Sequence, residues 1–376
     1  MKIAMLGAKA VPAIGGIANY VEEVGARLVD RGHEVTVYCR PHFMDGECDD
    51  YRGMERIVTR GLRGKHLDAT SHTFTSALHA LHRDYDILHI HGAAPSMAGL
   101  LLQFKPHGHL VTTLHGLDWA GTKWGGAASR VMYTAARVGV ATADRVTAVS
   151  RWVREQAQTR LHCDADFIPT GVGFPSLVAP QEIHALGLQP NSYFFCASRL
   201  VPEKGVHYLL EAFSELDTDK RLVIGGSCPY QDPYVSRLQQ MADERVIFAG
   251  YVKGRLLEEL YSNAYLYVQP SEMEGLPLAV LEALSYGRCV VASDIPQNQE
   301  ALGPCGYTFA TQDPQALRRQ LAYLLNRPDV VGAQFSKSRE YVRRERDWEL
   351  TTDRFEELYE ELARGRGRLR MVAAAT

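Results

Sequence analysis

A chain of 376 residues is too long for one ordinary core, and 46% hydrophobic with 23% charged residues is the balance of a globular protein of two or three domains. A formal net charge of −3 at pH 7 excludes a general affinity for nucleic acid. No apolar run reaches the roughly eighteen residues a membrane span needs, no signal-peptide centre follows Met1, and the seven cysteines contain no Cys-x-x-Cys pair, so reduced thiols in a cytoplasmic compartment are expected.

Taken in order, residues 3–6 (IAML) read as a buried strand. A loop bearing Gly7, Gly15 and Gly16 leads into a helix over about residues 18–30, with Tyr20, Val21, Val24 and Leu28 on its apolar face. Residues 34–38 (EVTVY) form the next strand. Strand, glycine loop, helix and strand make a Rossmann-type βαβ unit. The G-x-G-x-x-G fingerprint is absent, so a dinucleotide is not indicated. Gly15-Gly16 at a helix N-terminus suits either close backbone approach to a ligand or a steric turn. Residues 85–91 (YDILHIH) and 110–115 (LVTTLH) are strands ending in His91-Gly92 and His115-Gly116. The second opens into a loop holding Asp118, Trp119, Lys123 and Trp124, a composition suited to a polar ligand such as a sugar. Both histidines also have a purely structural reading. Residues 143–149 form a strand with a helix cap at Ser150, and 168–172 (IPTGV) resemble the last strand of a first domain. Residues 173–190 carry prolines and little pattern and are the expected linker.

The pattern then restarts. Residues 193–197 (YFFCA) are a strand, 198–205 a loop with Arg199 and Lys204, and 206–215 a helix. Strands follow at 222–224, 246–251, 264–269 and 288–292. Two halves of βα repeats imply two Rossmann-like domains facing each other across a cleft. Between the last two strands stand Glu274 and Glu282, eight positions apart. Glu274 lies in a polar turn beside Gly275 and Pro277, and Glu282 in the apolar helical run 278–284. Eight residues are a little over two helical turns, so both carboxylates can face one cleft if the helix starts near Pro277. The turn leaves the first helical N–H groups available to a polar ligand, at the strand end where open α/β sheets bind ligands. Residues 347–363 read as an amphipathic helix. The tail beyond carries Arg364, Arg366, Arg368 and Arg370, read as a frayed end or, less favoured, a weak contact with anionic lipid.

Together the Gly15-Gly16 loop, His115-Gly116, Arg199 and Lys204 in S-R-L-x-P-E-K-G, and Glu274-x7-Glu282 resemble the retaining nucleotide-sugar glycosyltransferases of family 4, which have the GT-B fold. The resemblance covers nearly the whole chain, and the HGLDW…KWG loop is similar to that of bacterial members that build surface polysaccharides. Met273 departs from the small polar residue many relatives carry there, without disturbing the glutamate spacing.

The resemblance implies an N-terminal acceptor domain over 1–172, a linker over 173–190, and a donor domain over 191–346, with the helix after about residue 347 returning to the first domain. It implies transfer of a sugar from a nucleotide sugar, UDP-linked by default and GDP-linked as runner-up, to a hydroxyl of a glycan or lipid-linked acceptor. Arg199, Lys204 and a helix dipole would stabilise the leaving diphosphate. Glu282 would hold the ribose hydroxyls. Glu274 would hold the donor sugar, assisted by the N–H groups of Gly275 and Leu276. Gly15 and Gly16 would admit the donor phosphate, and His115 would contact the sugar or position the acceptor. Asp118 and, more weakly, His91 would touch the acceptor. Substitution would be front-face, with the leaving phosphate as base. No metal or other cofactor is expected, because no Asp-x-Asp ends a strand: Asp164-Ala-Asp166 precedes one instead. The enzyme would be cytoplasmic, and peripheral contact at the inner membrane face stands only as the less favoured reading of the basic tail. The other readings are a nucleotide-sugar 2-epimerase of the same architecture and a non-catalytic sugar-nucleotide binder.

Overall fold

The structure is a computed structural model and describes residues 1–13, 15–44, 50–62, 68–105, 107–117, 126–226 and 233–365. Asp118, the rest of its aromatic loop, and the arginines beyond Arg364 lie outside the described residues. The chain forms two compact units, residues 1–171 with 348–376, and residues 172–347.

The N-terminal unit carries strands β1 (Lys2–Leu6), β2 (Glu34–Cys39), β3 (Asp50–Tyr51), β4 (Met54–Val58), β5 (Ile87–His91), β6 (His109–Leu114), β7 (Arg145–Ala148) and β8 (Asp166–Phe167). They make one sheet in the order β3-β4-β2-β1-β5-β6-β7-β8, parallel except for the β3–β4 pair. Every residue of β5 is buried, as expected of a strand covered on both faces. One face packs Ala4, Leu6, Leu88, Ile90 and Leu110 against helix Asp68–Ala80. On the other, His89 meets Phe355 and Tyr359 of helix Trp348–Ala363. That last helix is tied to helix Gly16–Asp30 by Arg27–Glu349 at 2.9 Å and by Arg31, which reaches Asp353 at 2.6 Å and Glu356 at 2.9 Å.

The C-terminal unit carries β9 (Tyr193–Ala197), β10 (Arg221–Gly225), β11 (Val246–Gly250), β12 (Leu266–Gln269), β13 (Cys289–Ser293) and β14 (Tyr307–Phe309), all parallel in the order β11-β10-β9-β12-β13-β14. This is the 3-2-1-4-5-6 order of a doubly wound sheet, and the order reverses between β9 and β12. Side chains alternate with the two-residue period of a strand. Tyr193, Phe195, Tyr267, Val290 and Ala292 enter one core, and Phe194, Cys196, Leu266, Val268 and Val291 the other.

Two expectations require correction. Residues 168–172 are buried but form no strand: β8 ends at Phe167. Pro169 has no N–H to give a ladder, and its carbonyl instead accepts from the Thr351 hydroxyl at 2.7 Å. The stretch 173–190 is also not a loose linker. It contains a 3-10 turn, Glu182–Leu186, and Ile183 and Leu188 are fully buried in the C-terminal core. Glu259 accepts from the backbone N–H groups of Gln181, Glu182 and Ile183 at 2.7, 2.8 and 3.2 Å. Phe174 has the guanidinium groups of Arg339 and Arg343 each 4.1 Å from its ring centre.

Candidate functional site

In the C-terminal unit the residues of interest gather where the strand order reverses. β9 runs into the loop bearing Arg199, a 3-10 turn Pro202–Lys204, and helix Val206–Ser214. β12 ends at Gln269 and runs through Glu274 to helix Leu278–Ser285. The two loops touch: the Glu272 N–H donates to the Glu203 carbonyl at 2.9 Å, and the Tyr208 hydroxyl donates to the Glu272 carboxylate at 2.9 Å. Gly205 has φ +65°, and a Cβ there would collide with the Pro270 carbonyl, so only glycine lets the loops approach this closely.

The Lys204 ammonium lies 2.6 Å from Glu274 Oε2, with side-chain exposures of 12% and 9%, so the pair is largely shielded from water. Glu274 Oε1 accepts from the Ser271 hydroxyl at 2.7 Å and from Gln269 Nε2 at 3.0 Å. The Tyr267 hydroxyl supports Gln269 at 2.7 Å, while the Ser293 hydroxyl holds the Ser271 carbonyl and is in turn fixed by Asn298. Sequence reasoning chose Lys204 and Glu274 separately. It missed their pairing and missed Gln269, Ser271 and Tyr267, although hydroxyl and amide groups at the end of a buried strand are a legible signal.

Glu282 sits on the helix as expected, near the stacked rings of Tyr261 and Tyr286. Burial pushes its carboxyl above the usual range, and the Tyr261 hydroxyl, donating at 2.9 Å, only partly offsets this. Gly275 and Leu276 lie half-buried in the turn before that helix. Arg199 is set differently from Lys204. Its side chain is 58% exposed and its nearest carboxylate, Glu203, is 3.8 Å away, so it is not a fixed cation in the way Lys204 is.

In the N-terminal unit Gly15 caps helix Gly16–Asp30 with φ +133°. A Cβ there would meet nothing nearer than the Lys9 ammonium at 4.0 Å, so packing does not require the glycine. The helix has no side-chain cap and no acidic residue in its first turn, which leaves a positive helix end facing outward.

The strand-end histidines form one cluster. His91 Nδ1 lies 3.1 Å from His115 Nε2. His89 lies 2.6 Å from both the Tyr359 hydroxyl and the Thr113 hydroxyl. Tyr20 sets its ring edge to face against His115, at 4.9 Å and 90°. Burial pushes His89 and His115 down to about 3 and His91 well below its ordinary value, so all three are neutral at pH 7. His115 is half-buried, but His91 is wholly buried behind it. The expected contact of His91 with an acceptor is therefore corrected: its partner is His115.

Among the described residues no helix is long and apolar enough to cross a membrane, and no group of three His, Cys, Asp or Glu side chains could hold a metal ion.

Comparison with known proteins bears on both units. Residues 14–173 match the family described as Glycosyltransferase Family 4, and residues 191–327 the one described as Glycosyl transferases group 1. A GDP-mannose-dependent alpha-(1-6)-phosphatidylinositol monomannoside mannosyltransferase of Mycolicibacterium smegmatis is 28% identical, over 92% of this chain and 95% of its own. The alpha-maltose-1-phosphate synthase of the same organism is also 28% identical, over 91% and 92%. Sucrose-phosphate synthase from Thermosynechococcus elongatus has a similar structure, with TM-score 0.84 at 20% identity over 97% of this chain and 99% of its own. So does Anabaena HepE in complex with UDP and glucose, with TM-score 0.79 at 19% identity over 96% and 100%. With both halves matched in chain order and both units built as doubly wound sheets, the chain belongs to the group 1, family 4 glycosyltransferases and is a transferase of the GT-B fold.

Proposed function

We propose that this glycosyltransferase moves a sugar from a nucleotide sugar to a hydroxyl of a glycan or lipid-linked acceptor in polysaccharide biosynthesis, with retention at the anomeric carbon and without a metal. The observation that carries the reading is the shielded Lys204–Glu274 pair at the ends of β9 and β12. Breaking the bond from the anomeric carbon to the diphosphate places negative charge on the leaving oxygens and positive charge on the sugar. A paired ammonium and carboxylate match that separation: Lys204 turns to the phosphate and Glu274 to the sugar hydroxyls and the developing cation. Glu274 already accepts from Lys204, Ser271 and Gln269, which makes it a poor nucleophile and favours front-face attack with the leaving phosphate as base.

The donor is taken as a UDP-sugar first, as in the HepE complex with UDP-glucose, and a GDP-sugar second, as named for the mycobacterial mannosyltransferase. The test is thermal shift with a panel of UDP- and GDP-sugars, where a ligand at 100 times its dissociation constant adds about 2.7 kcal/mol. Transfer to a lipid-linked glycan follows, with the product anomer read by NMR. An inverted product, or donor consumption without an acceptor, overturns the reading, and the latter would favour a 2-epimerase.

A further inference from the structure

In the transfer reading the family resemblance has His115 contact the sugar or position the acceptor, but it does not say what holds the ring or which nitrogen carries its proton. Both rings of the 3.1 Å His91–His115 contact are neutral, so a single proton is shared between His91 Nδ1 and His115 Nε2. The other nitrogen of His91, Nε2, is buried without a partner among the described residues. A proton there would make it a buried orphan donor, a rarer and costlier state than an unused lone pair. The proton of His91 therefore sits on Nδ1 and is donated to His115 Nε2. His115, with Nε2 accepting, carries its own proton on Nδ1.

We infer that His91 is a positioning residue, which sets the ring orientation of His115 and its tautomer so that His115 offers a bound sugar oxygen an N–H donor rather than a lone pair. His91 is suited to this. It is fully buried, its strand β5 is buried throughout, and its ring lies 4.0 Å from that of His89. His89 is itself held between Tyr359 and Thr113. Tyr20 sets its ring edge to face against His115, also borders His91 at 5.9 Å, and rests on Trp348 and Phe355. The ring of His115 thus meets both His91 and Tyr20, and only His91 reaches one of its nitrogens among the described residues.

The catalytic part of this inference rests on the transfer reading, so the experiment has an arm that does not. Side-chain ¹⁵N spectra of histidine-labelled enzyme, with His115 assigned through a His115→Gln sample, report the tautomer directly. The wild type is expected to show His115 protonated on Nδ1, and His91→Phe to move the population toward Nε2. His91→Phe is expected to lower kcat about tenfold with the donor KM within about twofold, the scale of one lost hydrogen bond. His91→Asn, whose amide N–H can occupy the place of Nδ1–H, is expected to restore most of the loss, which a merely structural role would not predict. A wild-type His115 protonated on Nε2 overturns the inference even if no transfer is detected. Full kcat in His91→Phe with a changed tautomer overturns its catalytic part alone. If His91→Phe does not fold, the wild-type spectrum still decides.

Discussion

Replacing Glu259 with leucine should uncouple the segment after residue 172 from the C-terminal core. Glu259 is fully buried, and one carboxylate oxygen caps the N–H groups of Gln181, Glu182 and Ile183 while the other meets Arg255 at 2.8 Å. Gln181 and Glu182 are exposed, so water can replace the carboxylate there, at about 1 kcal/mol each. Ile183 is buried and its N–H would be left unpaired, about 2 kcal/mol. Arg255 is 40% exposed and adds little. The sum, about 4 kcal/mol, corresponds to a fall in Tm of roughly 8 °C or more if residues 172–347 melt as one unit. Glu259→Gln keeps an acceptor oxygen and should lose about half of that. Burial works to raise the Glu259 carboxyl, but the backbone N–H groups and Arg255 outweigh it and bring it down to about 2. A folded-state value below the unfolded one, about 4.3, means the stabilisation is complete above that pH and is lost as pH falls toward 2. The gap in Tm between wild type and Glu259→Gln, followed by circular dichroism at one scan rate, should therefore be full at pH 7 and shrink below pH 4.3. A leucine variant melting within 2 °C of wild type, or a gap constant down to pH 3, would refute the reasoning.

Other outcomes follow from the site. Glu282→Ala should weaken UDP binding about tenfold by calorimetry, the scale of one lost charged hydrogen bond, while a Glu274→Ala variant loses turnover first; equal losses in both would remove the division of roles. Activity should survive exhaustive EDTA; loss with EDTA and recovery with Mn²⁺ would show that a metal neutralises the leaving group. Lys204→Ala should cost about 10²-fold in turnover, and Arg199→Ala, an exposed cation without a fixed partner, less than that; the reverse order would mean that Arg199 is the preorganised group.

The sheet of the C-terminal unit was legible because period-2 alternation survives in YFFCA and in the run before Gln269, where neighbouring side chains enter opposite cores. The 168–172 segment misled because a buried apolar run looks the same whether its polar groups join a ladder or a neighbouring helix. Here Trp348–Ala363, nearly two hundred residues away in sequence, takes the Pro169 carbonyl through Thr351. The Gly173 to Pro190 stretch misled for a related reason. Its prolines mark irregular backbone, but irregular backbone becomes fixed when a buried carboxylate such as Glu259 binds it, and a glutamate some eighty residues away carries no local sign of doing so. At the candidate site the sequence singled out residues one by one, but their pairing was not readable. Lys204 and Glu274 are seventy positions apart, and nothing local says that their side chains meet.

The two units solve one packing problem twice. In each, the first strand of the sheet lies between neighbours that come later in sequence, and the order reverses beside it, at β1 and β5 or at β9 and β12. Helices connecting onward from these strands leave toward opposite faces, so a crevice opens at their carboxyl ends. The loop after the first strand must then pass close to the end of its neighbour across the crevice. Gly7, with φ +97°, passes the His91 carbonyl where a Cβ would collide, just as Gly205 passes the Pro270 carbonyl. That close passage brings functional groups together. In one unit it lets the loop after β1 pass the end of its ladder partner β5, the strand that ends in His91. In the other it places Lys204 within reach of Glu274. The glycines therefore do more than turn the chain. A side chain at position 205 would push apart the loops that carry Lys204 and Glu274 and so separate the pair without any change in the residues that make it.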